Sequence, residues 1–319
     1  MSTEYDSSVA GGQVGSVLSK PAPSARGEPG GAARFMTPVT RFSDVAQGII
    51  GGDLSIPSPY GTQRVIYADW TASGRGYAPL EERLLRDFGP YIANTHTETS
   101  YTGHTMTVAY EQARRIIKRH VNAKEGDVLL ATGTGCTGAI NKLQRMLGLR
   151  LPSNFIGQAR VEPGQRPLVL VTHMEHHSNH TSWLECEVDV EVIPADASGL
   201  VDVLAIAPIL ARYADRPVKL AAITACSNVT GIHTPYHEIA ALMHAHGGLC
   251  FVDFACSAPY VAIDMHPAQA QCALDAIYFS PHKFLGGPGS CGILLFDPGL
   301  YNASVPDQPG GGTVSWTNP

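Results

Sequence analysis

Short apolar runs recur from residue 127 onward, and each ends in polar or glycine-rich residues. Runs of five or six residues that are apolar throughout are typical of strands buried in a parallel sheet. The predicted strands are 127–131, 168–172, 188–193, 219–224, 249–254, 276–280 and 292–296.

The segments between these runs carry apolar residues at helical spacing. The predicted helices are 42–50, 79–88, 107–120, 138–147, 176–185, 201–213 and 235–246. Alternating strands and helices predict an α/β fold: a three-layer, doubly wound, mostly parallel seven-stranded sheet with helices on both faces. Ligands in such folds bind beyond the carboxyl ends of the strands.

The N-terminal part of the chain has a different composition. Residues 1–34 are rich in Ser, Gly, Ala and Pro, with few large apolar side chains, and are predicted to be disordered. Residues 35–66 are predicted to be a loop-rich segment with one short helix.

Composition excludes several classes of function. The chain has 319 residues, of which 44% are hydrophobic, so it can build a large core. A net charge of −6 argues against a nucleic-acid or anionic-membrane surface. No apolar run reaches the length of a membrane span. The seven cysteines form no CxxC pair and no secretory signal is evident, so a reduced, cytoplasmic protein is predicted.

Two residues at predicted strand ends suggest cofactor chemistry. Lys283 follows strand 276–280, and Asp253 lies at the end of strand 249–254. A lysine forms an imine with an aldehyde, and an aspartate keeps a pyridine nitrogen protonated, as pyridoxal phosphate (PLP) requires. Each also has a plain structural interpretation. Lys283 can be a surface lysine in a glycine-rich loop, and Asp253 a helix cap or salt-bridge partner.

The glycine-rich string 133–138 follows a predicted strand and opens a predicted helix. Its backbone N–H groups and the Thr137 hydroxyl can bind a phosphate at the helix N-terminus. The string also matches the GxGxxG dinucleotide pattern, which needs an acid about 20 residues later. The nearest acid, Glu162, lies in a loop, and a plain tight turn is a further interpretation.

The histidine-rich segment 173–180 allows three interpretations. It can be a polar loop, a metal site with His176 and His180 on one helix face, or a site where an imidazole stacks on a cofactor ring. The order of residues is not HExxH, and no cysteine is near. Asn228 can bind a ligand oxygen or cap a turn, and Ser280 and His282 can bind a phosphate.

Together these segments resemble the class V aminotransferase family of fold-type I PLP enzymes, whose best-known branch is the cysteine desulfurases. The resemblance covers about residues 67–313, and 175–179 and 280–283 are its most specific segments. It implies PLP as cofactor, no metal, an amino-acid substrate and a homodimer with sites at the interface. Residues 67–300 would form the PLP-binding large domain.

The resemblance also implies a role for each matching residue. Lys283 would hold PLP as a Schiff base and move the Cα proton, and Asp253 would pair with the pyridinium nitrogen. His176 would stack on the ring, and Asn228 would lie beside its phenolic oxygen. The phosphate would be held by the Cys136 backbone, Thr137, Ser280 and His282. Residues 67–73 resemble a substrate-side loop, and 310–313 a stretch that reaches a neighbouring subunit.

Two departures from the family pattern matter. Cys256 stands where the family commonly has a glutamine that donates to the phenolic oxygen, and a thiol is a weaker donor. The small C-terminal domain carries the substrate-binding arginine and, in desulfurases, the nucleophilic cysteine. It would follow residues 301–319, the start of its linker, so a truncated chain is predicted.

The primary hypothesis is a PLP enzyme that acts on an amino acid. Transamination, desulfuration and elimination stay open, because the groups that choose among them are outside the matched segments. A catalytically impaired, truncated PLP-binding protein is the first alternative. A dinucleotide-binding oxidoreductase is the second, although it gives Lys283, His176 and Asp253 no role.

Overall fold

The computed structural model describes residues 41–97, 99–152 and 161–310. The segment predicted to be disordered, 1–34, and residues 311–313 of the predicted subunit-contact stretch lie outside this range. The chain divides into the units Met1–Val45 and Ala46–Pro319, and the sheet and the candidate site belong to the second.

A seven-stranded sheet forms the centre of the second unit. Its strands are ordered β3-β9-β8-β7-β6-β4-β5, and β9 runs antiparallel to both of its neighbours while the other pairs are parallel. The strands are β3 (Val128–Thr132), β4 (Leu168–Thr172), β5 (Asp189–Ile193), β6 (Lys219–Thr224), β7 (Leu249–Asp253), β8 (Ala276–Phe279) and β9 (Gly292–Phe296). The prediction of a mostly parallel, seven-stranded α/β sheet is confirmed.

Helices cover both faces of this sheet. Alternate residues of β6 illustrate this: Ala221 and Ile223 pack in a core with α6 and α7, while Leu220 and Ala222 pack with α4 and α5 on the opposite face. The helices are α1 (Phe42–Gly48), α2 (Ala78–Arg83), α3 (Tyr101–His120), α4 (Gly135–Met146), α5 (His177–Leu184), α6 (Ile206–Arg212) and α7 (Tyr236–Ala245). None of the helices described is long and apolar enough to cross a membrane.

Three helices differ from the predictions in extent or type. Helix α3 begins at Tyr101 rather than at residue 107, since the Ser100 hydroxyl accepts a hydrogen bond from the Gly103 amide at 3.2 Å. Helix α2 passes into a π turn, Leu84–Phe88. The predicted helix 201–213 is a 3₁₀ turn, Val203–Ala205, followed by α6.

The sequence did not predict an antiparallel hairpin in the N-terminal segment. It consists of β1 (Ser55–Ser58) and β2 (Gly61–Arg64). All but one of its residues are exposed, so the apolar alternation that marks a half-buried strand is missing. The segment 35–66 therefore contains regular structure beyond the one helix expected there.

Strand direction places the loops that carry the predicted site at one edge. Strands β4, β6, β7 and β8 are parallel, and β3 shares their direction because it and β8 both run antiparallel to β9. The carboxyl ends of these five strands therefore lie along the same edge, where ligands bind in α/β folds.

Candidate active site

A cavity of about 370 Å³ opens at this edge of the sheet. Its size lies in the usual range for small-molecule sites. All eight residues predicted for the site line it: Cys136, Thr137, His176, Asn228, Asp253, Ser280, His282 and Lys283. The structure thus brings residues from five separate loops into one place.

One end of the cavity has the features of an anion site. The Cys136 amide, at the start of α4, donates to the Ser280 hydroxyl at 2.7 Å. Gly135 has a positive φ of 65°, and a Cβ there would lie 2.7 Å from Cε1 of His282. Only glycine therefore allows the N-terminus of α4 to approach Ser280 and His282 this closely, and such a terminus favours bound anions.

Thr137 and His282, which are also expected at the phosphate, differ in their hydrogen bonding and charge. The Thr137 hydroxyl donates to the Ser178 hydroxyl at 2.8 Å, which joins the beginnings of α4 and α5. Burial lowers the pKa of His282, and the charge of Lys283 lowers it further. His282 is therefore neutral near pH 7 and would offer one ring N–H to an anion.

Asp253 provides a test of whether PLP fits. The residue is only 3% exposed, and its Oδ1 accepts hydrogen bonds from the Ala255 amide at 2.7 Å and the Cys136 thiol at 3.2 Å. No hydrogen bond from the described residues reaches Oδ2. Burial raises the pKa of Asp253, although these two bonds and the nearby Lys283 and His176 oppose the shift. A buried carboxylate with a free oxygen suits a protonated pyridine nitrogen.

The loop that carries Lys283 is held against the loop expected to face substrate. The Gly74 amide donates to the His282 carbonyl at 2.9 Å, and the Gly286 amide donates to the Arg75 carbonyl at 2.8 Å. A Cβ on Gly74 would collide with the Phe284 carbonyl oxygen. These contacts bring three residues of the 67–73 loop to the cavity wall: Asp69, Thr71 and Ala72.

His176 lies at the cavity where α5 begins. Its Nδ1 accepts a hydrogen bond from the Ser178 amide at 3.1 Å, so in the neutral ring the proton is on Nε2. This bond fixes the direction of the ring. Across 41–97, 99–152 and 161–310, no three His, Cys, Asp or Glu side chains are grouped so that they could hold a metal.

Cys256 and Asn228 complete the wall near β6 and β7. The Cys256 thiol donates to the Cys226 carbonyl at 3.0 Å, so its hydrogen is already engaged. Burial, assisted by the neighbouring Cys226 and Asp253, raises the pKa of Cys256 to about 12. Asn228 is exposed in a turn that the Gly231 amide closes with a 3.0 Å bond to the Ser227 carbonyl.

A buried polar network below the cavity was missed at the sequence level. Oε1 of Glu175 accepts hydrogen bonds from the Thr172 amide at 3.1 Å, the Thr172 hydroxyl at 2.6 Å and the Thr224 amide at 2.9 Å. Oε2 accepts from Asn179 at 2.7 Å, and Asn179 accepts from the Tyr278 hydroxyl at 2.8 Å. The network joins β4, α5, β6 and β8, and it fixes the residue that precedes His176.

We expect Glu175 to make stability depend on pH. Burial raises its pKa from 4.5 to about 7, against the effect of its hydrogen bonds. The folded chain therefore holds a proton that the unfolded chain releases, and stability falls as pH rises from about 4.5 to 7. The loss is up to roughly 3 kcal/mol, since one pKa unit corresponds to about 1.4 kcal/mol.

Urea unfolding at pH 5 and pH 8 measures this dependence. The Glu175→Gln variant cannot titrate, so the stability difference between the two pH values should be smaller in the variant than in the wild type. An equal difference in both proteins would show that Glu175 does not titrate in this range.

The dinucleotide interpretation of 133–138 conflicts with the sheet order. Strand β3 pairs with β9 at the sheet edge, and four strands separate it from β4. A dinucleotide fold needs those two consecutive strands side by side, with the acid at the end of the second. The glycine-rich loop therefore lines the cavity together with Ser280 and His282. No neighbouring strand of the described sheet brings the acidic residue that a dinucleotide site needs.

Comparison with known proteins shows the family of the chain. Residues 66–318 match the Aminotransferase class-V family. The chain belongs to the class V aminotransferase family. A probable cysteine desulfurase of Staphylococcus aureus (strain COL) is 30% identical over 260 residues, which cover 80% of this chain and 58% of the relative. Another, from Halalkalibacterium halodurans, is 27% identical over 256 residues, covering 79% of this chain and 58% of the relative.

Solved structures of class V aminotransferase relatives share the fold. The apo cysteine desulfurase of Thermococcus onnurineus NA1 superposes with a TM-score of 0.65 at 22% identity, covering 89% of this chain and 64% of that one. A NifS-like protein from Rickettsia africae ESF-5 gives 0.58 at 18% identity, covering 78% and 62%. The chain spans 58% of the length of the curated relatives reported above. The fold-type I architecture is therefore shared with this family.

Proposed function

We propose that this chain binds PLP in the 370 Å³ cavity and acts on an amino acid. The observation that carries the proposal is the buried Asp253 carboxylate, whose Oδ2 receives no hydrogen bond from the described residues, in the same cavity as the Lys283 amine. When bound, PLP supplies an aldehyde and a protonated pyridine ring that accepts electron density.

The chain's own residues would divide the remaining work. The Lys283 amine would bond to the aldehyde carbon as the aldehyde oxygen leaves as water, and, once an amino acid displaces it, would accept the Cα proton at Nζ. Oδ2 of Asp253 would hold the ring N–H, and His176 would cover one ring face. The phosphate would bind where α4 begins, at Ser280 and His282 beside the Cys136 amide.

The phosphate end of the cavity supports PLP over an unphosphorylated aldehyde. It combines the N-terminus of α4 with the Ser280 hydroxyl and the neutral His282 imidazole. These groups can lie this close together only because residue 135 is glycine. We therefore expect pyridoxal, which lacks the phosphate, to bind much more weakly than PLP.

The relatives make L-cysteine the first substrate to test, because both curated proteins reported above are named probable cysteine desulfurases. With L-cysteine the three reactions give different sets of products. Desulfuration gives alanine with a persulfide or sulfide, and elimination gives pyruvate, ammonia and sulfide. Transamination releases no sulfide and converts an added keto-acid acceptor into a new amino acid. A homodimer is proposed from the same resemblance, and sedimentation of the purified protein tests it.

The experiment that tests the proposal is titration of purified protein with PLP, followed by borohydride reduction and peptide mapping. We expect a visible absorption band, and a stable adduct on the peptide that contains Lys283. Pyridoxal is the matched control ligand. An adduct spread over many surface lysines, or no band at saturating PLP, would refute the proposal.

A further inference from the structure

The Cys136 thiol makes a contact that none of the roles above uses. Its Sγ lies 3.2 Å from Oδ1 of Asp253, a residue 117 positions away in the chain. Both side chains are buried, with 6% of Cys136 and 3% of Asp253 exposed. A thiol is a weak donor in water, but its bond to a buried carboxylate is charge-assisted.

The geometry makes the thiol the donor and holds it in place. Burial raises the pKa of Cys136 far above its usual value, and the neighbouring Asp253 raises it further, so the sulfur keeps its hydrogen. The Cys136 backbone cannot drift, because its amide donates to Ser280 at 2.7 Å. The start of α4 therefore keeps the Cys136 side chain beside Asp253, with Sγ 3.2 Å from Oδ1.

The thiol also helps to fix the orientation of the Asp253 carboxylate. Oδ1 receives hydrogen bonds from the Cys136 thiol, a side-chain donor on α4, and from the Ala255 amide, a backbone donor that follows β7. Rotation of the carboxylate would break both bonds. With Oδ1 occupied twice, Oδ2 is the oxygen left for a ligand in the cavity.

We propose that Cys136 is a positioning residue for cofactor binding: its thiol bonds to Oδ1 and thereby presents Oδ2 of Asp253 to the ring nitrogen. The proposal rests on the proposed PLP function. It assigns the Cys136 side chain a role separate from that of its backbone amide, which faces the phosphate end.

A double-mutant cycle on PLP affinity tests this role. Cys136→Ala should weaken PLP binding about threefold to tenfold, the effect of one hydrogen bond. Cys136→Ser keeps a donor and should restore affinity to within about twofold. In an Asp253→Asn background, where no carboxylate remains to be oriented, Cys136→Ala should cause no further loss.

The matched control is Cys250→Ala. Cys250 is fully buried in β7, three residues before Asp253, and does not line the cavity. Its loss should lower stability without changing PLP affinity. Equal losses from Cys136→Ala and Cys136→Ser, or a Cys136→Ala loss that persists in the Asp253→Asn background, would overturn the proposal in favour of simple packing.

A second readout needs no cofactor. The infrared S–H stretching band that disappears in apo Cys136→Ala should shift to higher frequency in apo Asp253→Asn, since an amide oxygen is a weaker acceptor than a carboxylate. A band that does not move would overturn the proposal. If wild-type protein binds no PLP, the proposed function fails, whereas this band reports on the Cys136–Asp253 contact independently.

Discussion

Lys283→Ala is expected to abolish the covalent PLP adduct. In the wild type, borohydride should fix PLP onto this residue, because Lys283 lines the same cavity as Ser280, His282 and Asp253. The variant keeps the Cys136 amide, Ser280, His282 and Asp253, so it should still bind PLP, but reversibly. Absorbance before and after borohydride reduction, followed by the mass of the intact protein, measures the labelled fraction. We expect complete labelling of the wild type and only background labelling of the variant.

Lys219→Ala is the matched control for this experiment. Lys219 is also partly buried and begins β6, so it lies at the opposite edge of the sheet, where its amine donates to the Arg216 carbonyl at 3.1 Å. This variant should label as completely as the wild type. A Lys283→Ala protein that retains a stoichiometric adduct would place the reactive lysine elsewhere.

The fold could be predicted because its strands leave an unambiguous signal. Strands buried on both faces, such as β4 and β9, are continuous apolar runs, and their alternation with helices indicates a parallel sheet. The hairpin β1–β2 leaves no such signal, since its strands are short and exposed. Helix α3 was predicted to begin too late because its first turn depends on a cap, Ser100.

The clustering of the site residues at one place also follows from the topology of the sheet. Each predicted residue lies at or after the carboxyl end of a strand, and five strands of one direction bring those ends to one edge. Their roles toward PLP stay predictions. The sequence does not predict which side chains form hydrogen bonds with each other at that edge. The bonds that join Glu175, Asn179 and Tyr278 are an example.

No sequence pattern predicts those hydrogen-bond partners, because tertiary packing determines which side chains meet. Glu175 stands in a polar run that looks solvent-exposed, yet the folded chain partly buries it and gives its carboxylate four hydrogen bonds. The Cys136 side chain is equally inconspicuous, because a cysteine in a glycine-rich loop suggests only a small residue. Its bond to Asp253 spans 117 positions and is visible only once β7 and α4 are in place.

Asp253→Asn is expected to weaken PLP binding about 100-fold, or roughly 3 kcal/mol, the cost of losing one partner of a buried charged pair. The amide oxygen can still accept from Ala255 and Cys136, so the shape of the site is kept. The amide NH₂ would replace Oδ2 and meet a ring N–H with a second donor. Equilibrium titration with PLP measures the loss, and the pH dependence of the absorbance band should shift with it.

Asp127→Asn separates this effect from general loss of stability. Asp127 is as buried as Asp253, at 3% exposure, and accepts hydrogen bonds from the Lys124 amide and His266, both at 2.7 Å. It does not line the cavity, so this variant should lose stability but retain PLP affinity. If Asp253→Asn binds PLP as tightly as Asp127→Asn, the carboxylate does not hold the ring nitrogen. If only Asp253→Asn loses affinity, the buried charge acts on the ligand rather than on the fold.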